Sequence, residues 1–211
     1  CAEACPTGAI ALAGGVRLDL GKCLFCSECA AACPAQAIRF GRDFRLAASR
    51  REDLVLAGDD ARLAVELSHR LRRLLGRSLK LRVVSAGGCN ACEADVNVLT
   101  TVGWDLGRFG IQYVASPRHA DGLLVTGPVT QAMRPALQKT WEAVPEPKIV
   151  IAVGACAISG GPYLGHPEQH DGAAAIVPVD LYVPGCPPHP LTILDGLLRL
   201  LGRIPERAGG A

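Results

Sequence analysis

The sequence predicts an α/β fold in which helices cover both faces of a mostly parallel sheet, preceded by a small α+β domain. Short apolar segments alternate with helical segments through the second half of the chain, which is typical of such a sheet. Cysteines stand just beyond the ends of several of these apolar segments. A repeated cysteine motif at the start of the chain predicts the smaller domain.

Composition indicates a packed globular chain of one or two domains. The 211 residues are 49% hydrophobic and carry a net charge of only +2. This charge favours neither nucleic acid nor an anionic membrane as a partner, and the aromatic content of 4% disfavours base stacking. No apolar run approaches the ~18 residues of a membrane-spanning helix, and the sequence shows no signal peptide.

Ten cysteines are the strongest compositional feature. A disulfide scaffold is disfavoured for this chain, because such scaffolds are typical of small secreted chains that are usually richer in cysteine. Four thiolates hold one [4Fe–4S] cluster, so ten cysteines make two full sets and leave two over. The chain opens at Cys1 and its only methionine is Met133, so we expect a fragment or a processed chain.

An internal repeat defines the first domain, which we place at residues 1–42. A shift of 28 positions aligns Cys1 with Cys29, Cys5 with Cys33 and Pro6 with Pro34. The second copy has four regularly spaced cysteines, Cys23, Cys26, Cys29 and Cys33. This is the spacing of bacterial ferredoxins, in which three close cysteines surround one cluster and the fourth ligates the other. Zinc also uses paired CxxC motifs, but the regular spacing and partial repeat favour iron–sulfur.

This crossover assigns the cysteines of the first domain. One [4Fe–4S] cluster is expected on Cys5, Cys23, Cys26 and Cys29. Cys1 and Cys33 are left for a second cluster, whose other two ligands the repeat would place before Cys1. Either the chain is truncated, which we favour, or that cluster is lost and both are free thiols. Truncation predicts about eight iron atoms in this chain and about twelve in an extended one. Between the two copies, Gly14 and Gly15 predict a hairpin turn rather than a phosphate loop.

Residues 43–78 are predicted to be a charged linker with an amphipathic helix. Five leucines recur at helical spacing, Leu63, Leu67, Leu71, Leu74 and Leu75. Asp59 and Asp60 mark the expected start of the helix and Gly76 its end. The arginines of this segment offer a basic face for a partner or for membrane headgroups. We favour a helix that packs its leucines on a neighbour, because nearby acidic residues offset much of the charge.

Residues 79–205 are predicted to form the parallel sheet, in a flavodoxin-like arrangement. The expected strands are Leu79–Ser85, Ile111–Ala115, Leu123–Thr126, Lys148–Val153 and, more weakly, Leu181–Val183. The expected helices are Val129–Trp141, broken or kinked at Pro135, and Pro190–Leu201.

The remaining four cysteines follow these strands. Cys89 and Cys92 follow the first strand, Cys156 follows Lys148–Val153, and Cys186 follows Leu181–Val183. Sites in open α/β sheets form outside the carboxyl ends of the strands, so distant cysteines can converge there. Neighbouring glycines would allow the backbone to approach a cluster closely. The alternative is four ordinary buried cysteines.

Four motifs in this region carry a family resemblance: GGCNACEAD, SPRHADGLLVTGPVT, VGACAISGG and VPGCPPHP. They resemble the small subunit of energy-converting [NiFe] hydrogenases of the formate-hydrogenlyase type, which is homologous to the B subunit of complex I (NADH:quinone oxidoreductase). The separated pair Cys89-x2-Cys92 matches the hydrogenase pattern rather than the adjacent cysteines usual in complex I. Relatives often carry glutamate where this chain has Asp95, with Glu93 nearer the cysteine. The fused ferredoxin domain is a second departure from the family pattern, after the aspartate at position 95.

The resemblance implies an electron-transfer subunit of a multisubunit oxidoreductase. Its four cysteines Cys89, Cys92, Cys156 and Cys186 would bind the proximal [4Fe–4S] cluster. The implied partner is a large catalytic subunit, either of a [NiFe] hydrogenase or of the complex I 49 kDa type beside a quinone pocket, together with other redox or membrane-anchor subunits. The implied location is cytoplasmic, peripheral to the membrane through those partners. A non-catalytic iron–sulfur carrier or redox sensor is the alternative.

Two polar groups outside the cysteine motifs are further candidates. His166 and His170 stand four apart around Glu168 as in a zinc-binding helix, but the surrounding proline and glycine predict a loop with surface histidines. Arg118, His119 and Asp121 follow a strand, where they would either tune the proximal cluster, contact a partner or form a solvated turn.

Overall fold

The computed structural model describes residues 1–12, 14–58, 63–65 and 67–204. The helix start predicted at Asp59 and Asp60 lies outside the described residues, as do Arg62 and Glu66.

A small antiparallel sheet organises the amino-terminal part. Its strands β1 (Ile10–Ala11), β2 (Arg17–Asp19) and β3 (Val55–Ala57) pair in the order β1-β2-β3, and helix α1 (Glu28–Ala31) follows β2. Ile10 pairs with Leu18, which confirms the predicted hairpin around Gly14 and Gly15. β3 comes from residues 43–78 and pairs with β2, so the linker contributes a strand to the ferredoxin-like part. The domain boundaries at 42 and 78 stay predictions.

The linker helix is shorter than the leucine spacing predicted. Helix α2 (His69–Leu75) begins after Ser68, whose hydroxyl accepts a hydrogen bond from the Leu71 amide, and ends at Gly76 as expected. The preceding backbone is bonded elsewhere, because the Ala64 amide donates to Ala47 and the Leu67 amide donates to Leu200. Those long-range bonds replace the intrahelical ones and leave Leu63 and Leu67 outside the helix.

The carboxyl-terminal part is a five-stranded, wholly parallel sheet. Its strands are β4 (Leu79–Ser85), β5 (Ile111–Tyr113), β6 (Gly122–Thr126), β7 (Ile149–Val153) and β8 (Leu181–Val183). They lie in the order β5-β4-β6-β7-β8, which is the 2-1-3-4-5 order of flavodoxin-like folds. The predicted fold class is therefore confirmed.

Helices cover both faces of this sheet. They are α3 (Ala91–Val98), α4 (Arg134–Ala143), α5 (Ala155–Ser159) and α6 (Pro190–Leu200). Leu124 of β6 belongs to the core formed with α3 and α6, whereas its neighbours Leu123 and Val125 belong to the core formed with α4 and α5. This alternation along one strand buries both faces.

Helix α4 differs from its predicted bounds. It begins at Arg134 rather than Val129, and Pro135 lies in its first turn instead of breaking it. Proline is tolerated there because the first turn needs no amide donor. Val129 has a φ of 58°, a left-handed conformation that is incompatible with a helix starting there. None of the described helices is long and apolar enough to cross a membrane.

A buried ion pair lies within α6. The Arg199 Nε donates to the Asp195 carboxylate at 2.8 Å, and the two side chains are only 5% and 6% exposed. Asp195→Ala would leave the buried guanidinium without its carboxylate. We expect the free energy of unfolding to fall by about 3–5 kcal/mol, as measured by chemical denaturation.

The matched control is the exposed pair of Arg50 and Glu52, whose side chains are 63% and 66% exposed at a separation of 2.8 Å. Glu52→Ala is expected to cost less than about 1 kcal/mol, because solvent screens an exposed pair. Equal losses in the two variants would contradict the structural importance of the α6 pair.

Candidate iron–sulfur sites

Four cysteines of the amino-terminal part line one small cavity, Cys5, Cys23, Cys26 and Cys29. The first comes from the first copy of the repeat and the others come from the second. Burial raises the pKa of Cys23 to about 11, and the nearby thiolates of Cys29, Cys5 and Cys26 add to that shift. The structure therefore brings together the set that the crossover predicts, although which cysteines ligate iron stays a prediction.

The repeat also extends to hydrogen bonds from backbone amides to sulfur. The Ala9 amide donates to Cys5 Sγ at 3.2 Å, and the Ala37 amide donates to Cys33 Sγ at 3.3 Å. The hydrogen bond from the Ala37 amide is the main cause of the lowered pKa of Cys33.

The second group of cysteines lies beyond the carboxyl ends of the parallel strands. Cys89 and Cys92 are at the start of α3 after β4, Cys156 is in α5 after β7, and Cys186 follows β8. Burial raises the pKa of Cys92 to about 12, with further contributions from Cys156, Glu93, Cys186 and Cys89. The Ala155 amide donates to the Gly185 carbonyl at 2.8 Å, and Gly154 lies against Cys92 Sγ, so loops far apart in sequence bring these thiols to one place.

Glycines allow the backbone to approach these sulfurs. A Cβ atom on Gly154 would lie 2.5 Å from Cys92 Sγ, and one on Gly161 would lie 2.9 Å from Cys156 Sγ. Both glycines also have positive φ angles, of 92° and 55°. Four thiols in a glycine-lined recess fit the donor set of a [4Fe–4S] cluster. In the described part of the chain, no three His, Cys, Asp or Glu side chains converge closely enough to hold a single metal ion.

Glu93 is buried beside this second group. Its Oε1 accepts hydrogen bonds from Ser85 Oγ at 2.5 Å and from Thr126 Oγ1 at 2.7 Å. The two hydroxyls lie at the ends of β4 and β6, so they anchor the first turn of α3 to the sheet. Asp95 is only half-buried. Sequence reasoning missed Ser85 and Thr126, because no local motif links a strand-end hydroxyl to a glutamate on another element.

Arg118, His119 and Asp121 lie away from the cysteines. Asp121 Oδ2 accepts from the Lys80 amide at 2.7 Å, near the amino ends of β4 and β6, and both Arg118 and His119 are exposed. A role in tuning the proximal cluster is therefore wrong, because the cysteines lie at the opposite edge of the sheet.

The segment with His166 and His170 is a loop, as predicted. His166 is exposed, but His170 is half-buried and its Nε2 has no hydrogen-bond partner, so the expectation of two surface histidines is only half right.

The two groups of cysteines are neighbours. Cys26 of the first group contributes electrostatically to the raised pKa of Cys186, after burial and Cys89. Both thiols are exposed. A cavity of about 550 Å³ is lined both by Cys23 and Cys29 of the first group and by Gly185 and Pro187, which flank Cys186. Clusters held in the two groups would therefore be adjacent.

A flavodoxin-like sheet with four thiols at its carboxyl edge, joined to a ferredoxin-type repeat, defines an iron–sulfur electron-transfer protein. Residues 89–200 match the family described as NADH ubiquinone oxidoreductase, 20 Kd subunit, and residues 16–39 match the 4Fe-4S binding domain. The chain belongs to this 20 kDa subunit family, and [4Fe–4S] is its cofactor.

Curated relatives agree with this family assignment. The chain is 41% identical over 140 residues to the probable membrane-bound hydrogenase subunit mbhJ of Pyrococcus furiosus, covering 66% of this chain and 84% of that one. It is 44% identical over 137 residues to formate hydrogenlyase subunit 7 of Escherichia coli, covering 65% of this chain but only 54% of that one. The chain thus spans about half the length of the second relative.

A solved structure is also similar. It is the membrane-bound sulfane sulfur reductase, an archaeal respiratory membrane complex, in which one chain matches with 33% identity and a TM-score of 0.56. The similarity covers 64% of this chain and 75% of that one. The family resemblance read from the cysteine motifs is therefore confirmed.

Gly154→Ala tests the backbone approach to the second group of thiols. The added Cβ would lie within 2.5 Å of Cys92 Sγ, so we expect the variant to lose about four iron atoms per chain on anaerobic reconstitution. Gly103→Ala is the matched control, since a Cβ there meets no atom within 4 Å. Full iron loading of the Gly154 variant, measured by iron analysis, would contradict the close approach.

The pKa shifts predict an order of thiol alkylation in the iron-free chain. The thiolate is the reactive form, and its fraction grows as pH approaches the pKa from below. The lowered pKa of Cys33 gives more thiolate at pH 8 than the pKa of about 12 at Cys92. Limiting iodoacetamide should therefore label Cys33 before Cys92, as followed by peptide mass spectrometry. Faster labelling of Cys92 would contradict the shifts, and the urea-unfolded chain should show no preference.

Proposed function

We propose that this chain relays electrons between a ferredoxin-type [4Fe–4S] cluster and a proximal [4Fe–4S] cluster beside the active site of a partner subunit. The carrying observation is the adjacency of the two groups of thiols, because one cavity is lined by Cys23 and Cys29 and also by Gly185 and Pro187, which flank Cys186. The first cluster would be held by Cys5, Cys23, Cys26 and Cys29, and the proximal one by Cys89, Cys92, Cys156 and Cys186. When bound, each cluster supplies one-electron chemistry.

The chain's own residues hold the clusters and set their surroundings. Amide donors such as those of Ala9 and Phe25 point at Cys5 and Cys23, at 3.2 and 3.3 Å. Hydrogen bonds to cluster sulfurs and the degree of burial are two of the levers that set a reduction potential. The proximal site has a buried side at Cys156 and an exposed side at Cys89 and Cys186. The exposed side leaves room for a partner to approach the cluster.

The partner proposed for that side is the large catalytic subunit of a [NiFe] hydrogenase. Support comes from the names of the two hydrogenase-type relatives and from the pair Cys89-x2-Cys92. The second candidate is a complex-I-like assembly with a 49 kDa-type subunit and a quinone pocket, which the family description favours. Other redox or membrane-anchor subunits would complete either assembly and hold the chain peripherally at the cytoplasmic face of a membrane.

A third cluster is proposed at Cys1 and Cys33. The Ala37 amide donates a hydrogen bond to Cys33 Sγ, and the Ala9 amide donates one to Cys5 Sγ. Cys33 in the second copy therefore has the same amide donor as Cys5, its counterpart in the first copy. Two ligands from residues before Cys1 would complete that site.

Cys156→Ala tests the assignment of two independent clusters. The variant should lose the proximal cluster's EPR signal and about four iron atoms per chain, and keep the ferredoxin-type signal. Cys29→Ala is the matched control, since it should show the reverse pattern. Loss of both signals in either variant would refute two independent sites.

Co-purification of the tagged chain from its native cells identifies the partner. A stable large subunit that contains nickel supports the hydrogenase assignment, and one without nickel supports the quinone branch. Isolation of the chain alone would refute both and favour a mobile carrier or redox sensor.

A further inference from the structure

A hydrogen bond to the backbone of Gly21 joins the ferredoxin-like part to the α/β part. The Ser159 hydroxyl, near the end of α5, donates to the Gly21 carbonyl at 2.9 Å. Ser159 is buried, and the two residues are 138 positions apart in the chain. Gly21 lies two residues before Cys23, the first cysteine of the second ferredoxin copy, whereas α5 carries Cys156.

The contact leaves no room for a side chain at residue 21. A Cβ on Gly21 would lie 2.8 Å both from the guanidinium carbon of Arg51 and from Ile158 Cγ2. Leu20 and Leu54 are buried in the same core as Ile158. The loop before Cys23 is therefore packed against α5 at van der Waals distance rather than tethered to it by a flexible linker.

Arg51 holds this loop from the other side. Its two terminal nitrogens donate to the two carboxylate oxygens of Asp19 at 2.8 and 2.7 Å. The same carboxylate accepts from the Gly21 amide at 2.9 Å, and the Asp19 carbonyl accepts from the Cys23 amide at 3.1 Å. Bidentate arginine–carboxylate pairs fix orientation as well as adding energy. We call Asp19, Gly21, Arg51 and Ser159 the Gly21 junction.

We infer that the Gly21 junction sets the distance between the ferredoxin-type and proximal clusters, and so acts as a positioning device for electron transfer within the chain. The inference rests on the proposed function, because it needs clusters at both sites. One hydrogen bond, from Ser159 to the Gly21 carbonyl, and the close approach of Gly21 to Ile158 tie the turn before Cys23 to the helix that carries Cys156. The contacts of Asp19 with Arg51 and with the Gly21 amide hold that turn in shape. Electron tunnelling between clusters weakens steeply with distance, so a rigid junction would hold the transfer rate constant. These are positioning residues, since none of them contributes a sulfur.

The test measures the magnetic interaction between the two reduced clusters in the reconstituted full chain. Two variants disturb the junction. The double variant Arg51→Met/Ser159→Ala removes the side-chain donors to Asp19 and to the Gly21 carbonyl, and Gly21→Leu forces a side chain between Arg51 and Ile158. Each should keep both individual cluster signals and the same iron content but lose the spin–spin splitting of the EPR lines.

Two matched controls separate the junction from general structure. Arg45→Met removes a bidentate pair with Asp43 that joins only residues two apart. Thr140→Ala removes a hydroxyl bond to Ala136 within α4. Both should leave the splitting unchanged.

The outcomes distinguish the junction from the relay itself. Unchanged splitting in both junction variants, with both clusters present, would overturn the junction and leave the proposed function standing. A wild-type chain that holds two clusters without any magnetic interaction would overturn the relay and the junction together. Loss of splitting in the junction variants alone supports the inference.

Discussion

Convergence of four thiols at the carboxyl edge of a parallel sheet is the constraint on which this structure depends. Burial, followed by the charges of neighbouring thiolates, raises the pKa of Cys92 and Cys156 to about 12 and about 11. Deprotonating them together is therefore costly unless cationic iron offsets their charge. The surrounding loops also approach the sulfurs closely, and glycine stands at positions such as Gly154 where any side chain would displace a sulfur. The sheet supplies the convergence, because parallel strands all end at one edge.

The second organising feature is that the ferredoxin-like part is built into the α/β part. Residues 43–78 leave the first domain and return to it, since β3 pairs with β2. The same linker also contacts the large sheet, where Ala48 and Tyr182 of β8 exchange backbone hydrogen bonds at 3.0 and 2.8 Å. β8 is the strand that leads to Cys186. A chain that alternates between the two parts in this way places their cysteines side by side without a separate docking step.

Local patterns predicted the elements well where tertiary contacts agreed with them. The strands β4 and β8 have the predicted bounds. β8 is a buried apolar run, and in β4 the apolar residues Leu79 and Leu81 alternate with Lys80 and Arg82. The start of α2 was predicted too early, since the amides of Ala64 and Leu67 bond to distant carbonyls. The start of α4 was also predicted too early, and Pro135 marks its first turn rather than a break. In both helices the apolar spacing was real, but it continued into backbone that other contacts hold in a non-helical conformation.

The sequence by itself determined the ten cysteines, their ferredoxin-type spacing, the family and the parallel sheet, because each of these is written in local spacing or in periodicity. It also indicated the crossover that pairs Cys5 with the second copy of the repeat. Only the tertiary structure decided that Cys23 and Cys29 share a cavity with the loop of Cys186, that Glu93 is held by Ser85 and Thr126, and that Gly21 packs against α5. The physical reason is that these contacts join residues far apart in the chain. Strand order and core packing determine which distant loops meet, and neither leaves a short-range pattern that can be read in advance.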